Sequence, residues 1–383
     1  MKRHKLCAIL NLNKNYEELK PLNIHRPVAA LPFGGRYCII DFMLSSLSHA
    51  GIDSVALFIE NSGRSIYDHI RSGREWDMDS AITGGTFTFS QQRLKHRYYI
   101  ENKPNQDYYA DHRLYMKRSR AEYVLVMSGE SVIDIDIDAL AKHHYKNSAD
   151  ITVVYNNIPS NKIKNNTNLK FLEINEKGMV TNLKEATNED ESLALNTEVY
   201  ILKIDTMNEI MDRAIKDNAY ADIGTILTSY LPMYHTNTYE YTGYLGVIDS
   251  VDTYYAHNME LLDENYYTSL FHKDKTVINR TNNGAPTFYA EESNVKESLC
   301  ATGCSIYGNV DHSILFRNVV IEKEAVIENS IILAGGKIGQ GAKLDYVILD
   351  KGVTVDEGVE LKGSKDSILV VPKNTHVTKG WKP

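Results

Sequence analysis

Short, uniformly apolar runs recur along the first two-thirds of the chain: CAIL from Cys7, SVALFI (Ser54–Ile59), YVLVM (Tyr123–Met127) and ITVVY (Ile151–Tyr155). Runs this short predict strands buried on both faces. Their alternation with helically spaced stretches, as from Cys38 to Ser48, predicts βαβ units and a mainly parallel sheet. Met207, Ile210, Met211, Ala214 and Ile215 fall on one helical stripe, which reads as core. A helix-like stretch, Asp252 to Asp263, is followed by a polar segment ending in TNNGAP (Thr281 to Pro286), where the spacing predicts a domain boundary.

Beyond Val295 the pattern changes. IEKEAV begins at Ile321, IGQGAK at Ile338 and VDEGVE at Val355, each an aliphatic residue followed four positions later by Ala or Val. Equal steps between these starts predict coils of roughly 18 residues, a left-handed parallel β-helix in which each coil buries its apolar side on the next. The expected organisation is an α/β domain over 1–265, a linker over 266–290 and a β-helix over 291–383.

With 383 residues and 43% apolar content the chain can bury sizeable cores. A formal charge of −8 argues against a sequence-independent grip on nucleic acid or anionic membrane, so a metabolite is the expected kind of ligand. Cys7, Cys38, Cys300 and Cys304 are scattered and lack zinc spacing, so they read as free thiols. Asn11 and Asn13 interrupt the basic-then-apolar start before it becomes a secretory segment. No run approaches the ~20 apolar residues of a membrane span. A cytoplasmic protein is expected, with the sequons at Asn165 and Asn279 carrying no glycan.

The first strand runs into a turn, Asn11-Leu12-Asn13-Lys14-Asn15-Tyr16, without a glycine. In nucleotide-handling α/β proteins glycines at this turn let phosphates approach backbone N–H groups. The next stretch, PFGGRYCIIDFMLSSLSHAGI (Pro32 to Ile52), resembles the sugar-1-phosphate nucleotidyltransferases, whose turn is normally G-G-x-G-x-R-L. HIRSGREWDMD (His69 to Asp79), Gln91-Gln92-Arg93 and GCSIYGNVDHSILFR (Gly303 to Arg317) narrow the resemblance to the bacterial glucose-1-phosphate adenylyltransferases, the ADP-glucose pyrophosphorylases. The resemblance covers essentially the whole chain. It implies a Rossmann-like nucleotidyltransferase domain, and a reaction in which the sugar phosphate attacks the α-phosphorus of ATP with help from a phosphate loop, a basic residue and Mg²⁺ held by two aspartates.

Position by position, the chemistry implied by that resemblance is missing. R-L-x-P-L becomes Glu18-Leu19-Lys20-Pro21-Leu22, a carboxylate in place of an arginine. The first metal aspartate is Glu130 in Ser128-Gly129-Glu130-Ser131, and the second falls on Val247, which cannot ligate. E-K-P reads Glu185-Ala186-Thr187, losing the lysine that pairs with the sugar phosphate. S-M-G reads Asn196-Thr197-Glu198, and G-T-A-D-A falls on Pro104 to Tyr108, keeping Asp107.

The resemblance therefore implies the family's non-catalytic second subunit, with no catalytic residues and no metal of its own. Glu18, Glu130, Ala186, Glu198 and Val247 are the degenerate positions. Asn13, Lys14, Asn15, Asp107, Glu185 and Asn196 are the vestigial substrate pocket. The implied partner is a catalytic ADP-glucose pyrophosphorylase subunit in a heterotetramer, with Mg²⁺ bound by that partner and no cofactor bound here. Two alternatives stand beside it: an active sugar-1-phosphate nucleotidyltransferase with altered metal or nucleotide use, and a stand-alone sugar-nucleotide sensor.

Arg26, Arg36 and Arg64 lie in the part of the sequence that corresponds to the family's effector region, and are candidates for holding a phosphorylated-sugar or nucleotide effector. Asp134, Asp136 and Asp138 alternate with isoleucine and read as a solvated strand face or a helix start. His143-His144 lacks metal spacing, and the surrounding match makes His312 a scaffold residue more readily than a base. Tyrosine pairs such as Tyr108-Tyr109 and Tyr254-Tyr255 suit either subunit contacts or core.

Overall fold

The computed structural model describes residues 5–60, 63–79, 84–91, 107–160, 169–185, 191–271, 275–280 and 284–382. Gln92, Arg93, most of Pro104 to Tyr108, Ala186, Thr187 and the sequon at Asn165 lie outside them. The chain packs as two units. One comprises Met1–Lys14 with Phe42–Leu245, the other Asn15–Asp41 with Gly246–Pro383.

The first unit is built on a nine-stranded sheet. Its strands are β1 (Leu6–Leu12), β2 (Ser54–Ile59), β3 (Gly85–Ser90), β4 (Tyr123–Ser128), β5 (Ile151–Pro159), β6 (Phe171–Ile174), β7 (Val180–Lys184), β8 (Ser192–Lys203) and β9 (Thr236–Glu240). Strands β3-β2-β1-β4 form a parallel core, and all seven residues of β1 are buried. That is why LCAILNL carries no in-out alternation. The long β8 runs antiparallel to β4, β5 and β6. The βαβ alternation did not announce this strand. The stripe from Met207 lies on the helix Ile204–Lys216, with Met207, Ile210, Met211 and Ala214 buried against the sheet. Among the described residues no helix is long and apolar enough to cross a membrane.

Two neutral histidines are set into this core. His112 stacks on Phe58 with ring centroids 3.7 Å apart, and neither ring nitrogen has a hydrogen-bond partner among the described residues. Burial pushes it down to about 3. His144 Nδ1 lies 2.8 Å from Thr152 Oγ1, and burial, aided by Lys203 and His143, pushes it down to about 4. Both folded values lie below the unfolded ~6.5, so their contribution to stability is full above pH 6.5 and is lost as pH falls toward the folded values. Urea unfolding at pH 7 and pH 5 is expected to differ by about 2 kcal/mol for each histidine. His112→Phe, which keeps the stack, should cut the wild-type difference between pH 7 and pH 5 by about 2 kcal/mol. An unchanged pH slope in that variant would contradict the assignment.

The β-helix of the second unit is left-handed, with six-, five- and five-stranded parallel sheets as its faces. Ile321, Ile338 and Val355, the starts of the sequence repeats, lie in register and point into its core. A serine ladder runs up one corner: the backbone N–H of Ser313, Ser330 and Val347 donates to the hydroxyl of Ser298, Ser313 and Ser330 respectively. The last two steps each span 17 residues, which is the length of a coil here. Another corner needs a left-handed backbone, met by Asn318, Gly335, Gly352 and Asn374. A Cβ on Gly352 would come 2.6 Å from Asn374 Oδ1, so a side chain at that step would have to displace that amide.

Asn15–Asp41 is tied to this unit by a buried ion pair. Arg26 donates from one terminal nitrogen to Asp350 Oδ1 at 2.7 Å and from Nε to the Leu22 carbonyl at 2.9 Å. The two side chains are 5% and 4% exposed. The Tyr254 hydroxyl donates to the Pro32 carbonyl and the Tyr255 hydroxyl to that of Asn329, while Tyr108 and Tyr109 are buried in the first unit, so Tyr108, Tyr109 and Tyr254 are core and Tyr255 is half-buried. All four cysteines are free thiols.

Asp134, Asp136 and Asp138 do not share a strand face. The strand Ser131–Ile133 ends before them, and Asp136 caps the helix Ile137–Asn147 by accepting from the Ala139 N–H. His312 occupies a left-handed coil corner, 3.9 Å from Glu297.

Candidate functional site

Ligands of open α/β sheets bind at the carboxyl ends of the parallel strands. Here β1 ends at Asn11-Leu12 and β4 at Ser128, and the chain between Asn11 and Lys14 crosses that edge. Asn11 is fully buried. Its side-chain amide donates to Asp222 Oδ1 at 2.6 Å, and its oxygen accepts from Asn13 at 3.1 Å. The turn therefore holds its own side chains where a glycine-rich turn would leave space.

Lys14 ends the turn with its ammonium between two carboxylates. It is 2.9 Å from Glu130 Oε1 and in closer contact still with Glu198 Oε1. Glu130 is 4% exposed and also accepts from the Ser128 hydroxyl. Glu198 sits in β8 at an irregularity between Asn196 and Tyr200 and has φ 56°, the left-handed region in which a glycine is at ease. A glutamate there costs about 1–3 kcal/mol of backbone strain. Asn196 accepts from the Glu198 N–H and donates to the hydroxyls of Tyr200 and Thr228, which holds the bend. Burial pushes the Glu198 carboxyl up to about 7, with Glu130 adding to the push and Lys14 opposing it. Burial alone would also raise Asp222. The Thr225 hydroxyl, Lys14 and Asn11 outweigh it and hold that carboxyl below its usual range.

The first unit thus brings together Asn13, Lys14, Glu130, Asn196 and Glu198. Asp222 is the member that sequence reading missed. Its signal was local, an acid immediately before the apolar helix Ile223–Tyr230, whose Gly224 and Thr225 N–H groups it caps. Asp107 is engaged elsewhere, accepting from the Tyr109 N–H and pairing with Arg113 at 2.7 Å. Glu185 is exposed, just past the strand Val180–Lys184, and Ala186 lies outside the described residues. Glu18, Asn15 and Val247 belong to the second unit. There Glu18 is exposed, and Asn15 accepts from Asn23 at 2.7 Å.

These donors do not fit Mg²⁺. Glu130 already has an ammonium and a hydroxyl, and among the described residues no group of three His, Cys, Asp or Glu side chains is placed to hold a metal. Nor do they fit a triphosphate, since Glu130, Glu198 and Asp222 outnumber the single ammonium.

The three candidate effector arginines separate. Arg26 is a structural residue, its guanidinium committed to Asp350. Arg64 is exposed in the first unit beside Asp68 at 3.6 Å. Arg36 lies over the Tyr37 ring at 4.9 Å and has basic company that the sequence did not announce. Burial, then Arg36 and Arg280, lower the Arg317 guanidinium. Burial, then Arg26 and Lys373, lower the Lys351 ammonium. Arg317 thus has Arg36 and Arg280 within electrostatic reach, with Asp41 opposing them, and Lys351 has Arg26 and Lys373, with Asp350 opposing them.

Comparison with known proteins agrees with this architecture. The family described as "Nucleotidyl transferase" matches residues 17–250, and "GlmU-like, C-terminal hexapeptide" matches residues 286–366. The class is thus a nucleotidyl transferase scaffold carrying a hexapeptide β-helix. The glycogen biosynthesis proteins GlgD of Bacillus subtilis (strain 168) and Geobacillus stearothermophilus are 32% and 34% identical over 97% of both chains. The glucose-1-phosphate adenylyltransferase of Bacillus cereus (strain Q1) is 24% identical over 96% of this chain and 98% of its own. The chain belongs to the GlgD branch of the glucose-1-phosphate adenylyltransferase family.

Proposed function

We propose that this chain is the non-catalytic, regulatory subunit of an ADP-glucose pyrophosphorylase in glycogen biosynthesis. It assembles in the cytoplasm, as a heterotetramer, with a catalytic homologue that makes ADP-glucose and pyrophosphate from ATP and glucose 1-phosphate. One observation carries this reading: the ammonium of Lys14 is enclosed by Glu130 and Glu198 at the strand ends where the family's reaction needs a phosphate cradle and Mg²⁺, on an otherwise complete scaffold. Mg²⁺ is then the catalytic partner's. Arg36, with Arg280 and Arg317 within electrostatic reach of one another, is the candidate position for a phosphorylated-sugar or nucleotide effector, through charge-assisted hydrogen bonds to phosphate. Family likeness supplies the biological role, and the residues supply the loss of chemistry.

The test is to mix the purified chain with its catalytic homologue, measure mass by light scattering, and record kinetics at varied ratio. A mixed oligomer whose kcat or effector response differs from that of the homologue alone is expected. If the species stay separate and the kinetics do not change at saturating ratio, a stand-alone sensor becomes the better account. Turnover by this chain alone would support the altered enzyme.

A further inference from the structure

We propose that the cluster where β1 and β4 end beside the bend in β8 is a cation site specific for a primary ammonium, and that Lys14 fills it permanently as an intramolecular ligand. The inference does not depend on the existence of a partner subunit. It concerns what the altered pocket has become rather than what it has lost.

Three features point to a built site. The Lys14 ammonium lies 2.9 Å from Glu130 Oε1 and also contacts Glu198 Oε1, with the three side chains 20%, 5% and 16% exposed in that order. An ion pair this sheltered from water is screened far less than a surface pair. Glu198 reaches the ammonium only because β8 is bent at a left-handed residue. The strained backbone is held by the Asn196 side chain and sits against Gly224, where a Cβ would come 2.9 Å from Glu198 Oε2. Strain retained at a polar contact marks a position with a task. Finally, Asp222 adds a third carboxylate to the field around Lys14 while its own oxygens are taken by Asn11, Gly224, Thr225 and the Thr225 hydroxyl. The pocket thus presents excess negative charge, and its open partner is a compact N–H donor. The contacts needed are hydrogen bonds from –NH₃⁺, which a quaternary ammonium lacks.

Removing the stem while keeping the carboxylates tests this. Lys14→Ala should lower the Tm of the full chain by at least about 5 °C, since it leaves Glu130 and Glu198 sheltered without the ammonium that offsets their burial. Ethylammonium chloride should recover at least half of that loss through binding to the folded state, while tetramethylammonium chloride at equal concentration should not. Lys14→Met, whose stem fills the space, should be destabilised without amine rescue, and the wild-type chain should respond to neither salt. If Lys14→Ala does not fold, Lys14→Ala/Glu198→Gln, which has one charge fewer to compensate, is expected to fold and to be more stable than the single variant. Equal effects of the two ammonium salts would overturn the proposal. So would a rise in wild-type Tm with pyrophosphate that Lys14→Ala loses, because Lys14 would then be a phosphate ligand.

Discussion

Assayed alone with ATP and glucose 1-phosphate, the chain is expected to release pyrophosphate at less than about one-thousandth of an ordinary turnover of ~10 per second. Loss of one well-placed electrostatic donor commonly costs ~3–4 kcal/mol of transition-state stabilisation, and several are missing at once here. The cation nearest the phosphate position, Lys14, is held by Glu130 and Glu198. The buried amide of Asn11 is turned toward Asp222. Val247 offers no ligand atom. For the same reason Val247→Asp should leave the chain inactive: it returns one carboxylate while Glu198 still occupies a position that suits glycine and Lys14 still neutralises Glu130. Residues that act as a unit do not recover their effect one at a time. Coupled-enzyme detection of pyrophosphate, on chain purified free of any homologue, decides the matter. Ordinary turnover by the wild type, or strong activity from the single substitution, would sink the non-catalytic reading.

Asp350→Ala is expected to destabilise the second unit by about 3–5 kcal/mol, the usual cost of leaving one partner of a buried ion pair uncompensated. The Arg26 guanidinium would keep only the Leu22 carbonyl, 2.9 Å from Nε, and the Lys351 N–H would lose an acceptor at 2.6 Å. Arg26→Met in the same chain should return most of that loss, because the pair stabilises mainly by satisfying itself and an apolar replacement removes both charges. Urea unfolding of wild type, both single variants and the double variant closes the cycle. Additive effects of the two substitutions would show that Arg26 and Asp350 act independently, contrary to the geometry.

Much of this protein is set by local pattern. The buried strands at Ser54–Ile59 and Tyr123–Ser128, the helix carrying Met207 to Ala214 and the stacked coils from Ile321 to Val355 are all legible in the sequence. In each, the hydrophobic period or repeat is itself the cause of the structure. The missing glycines at Asn11 to Asn15 and the acid at Glu198 were likewise visible one residue at a time. Tertiary structure alone decided where those side chains go. Lys14 meets Glu198 across 184 positions of chain, Asn11 meets Asp222 across 211, and Arg26 meets Asp350 across 324. The last pair makes Arg26 a structural residue in place of the effector ligand that its position in the sequence promised. The three aspartates from Asp134 are a local case instead: the strand stops at Ile133 and Asp136 caps the next helix, the helix start that the sequence had offered beside a strand face. Periodicity constrains neighbours within a turn or a strand. A charge finds its counter-charge only where folding brings distant segments together and burial makes an unpaired ion too costly to keep.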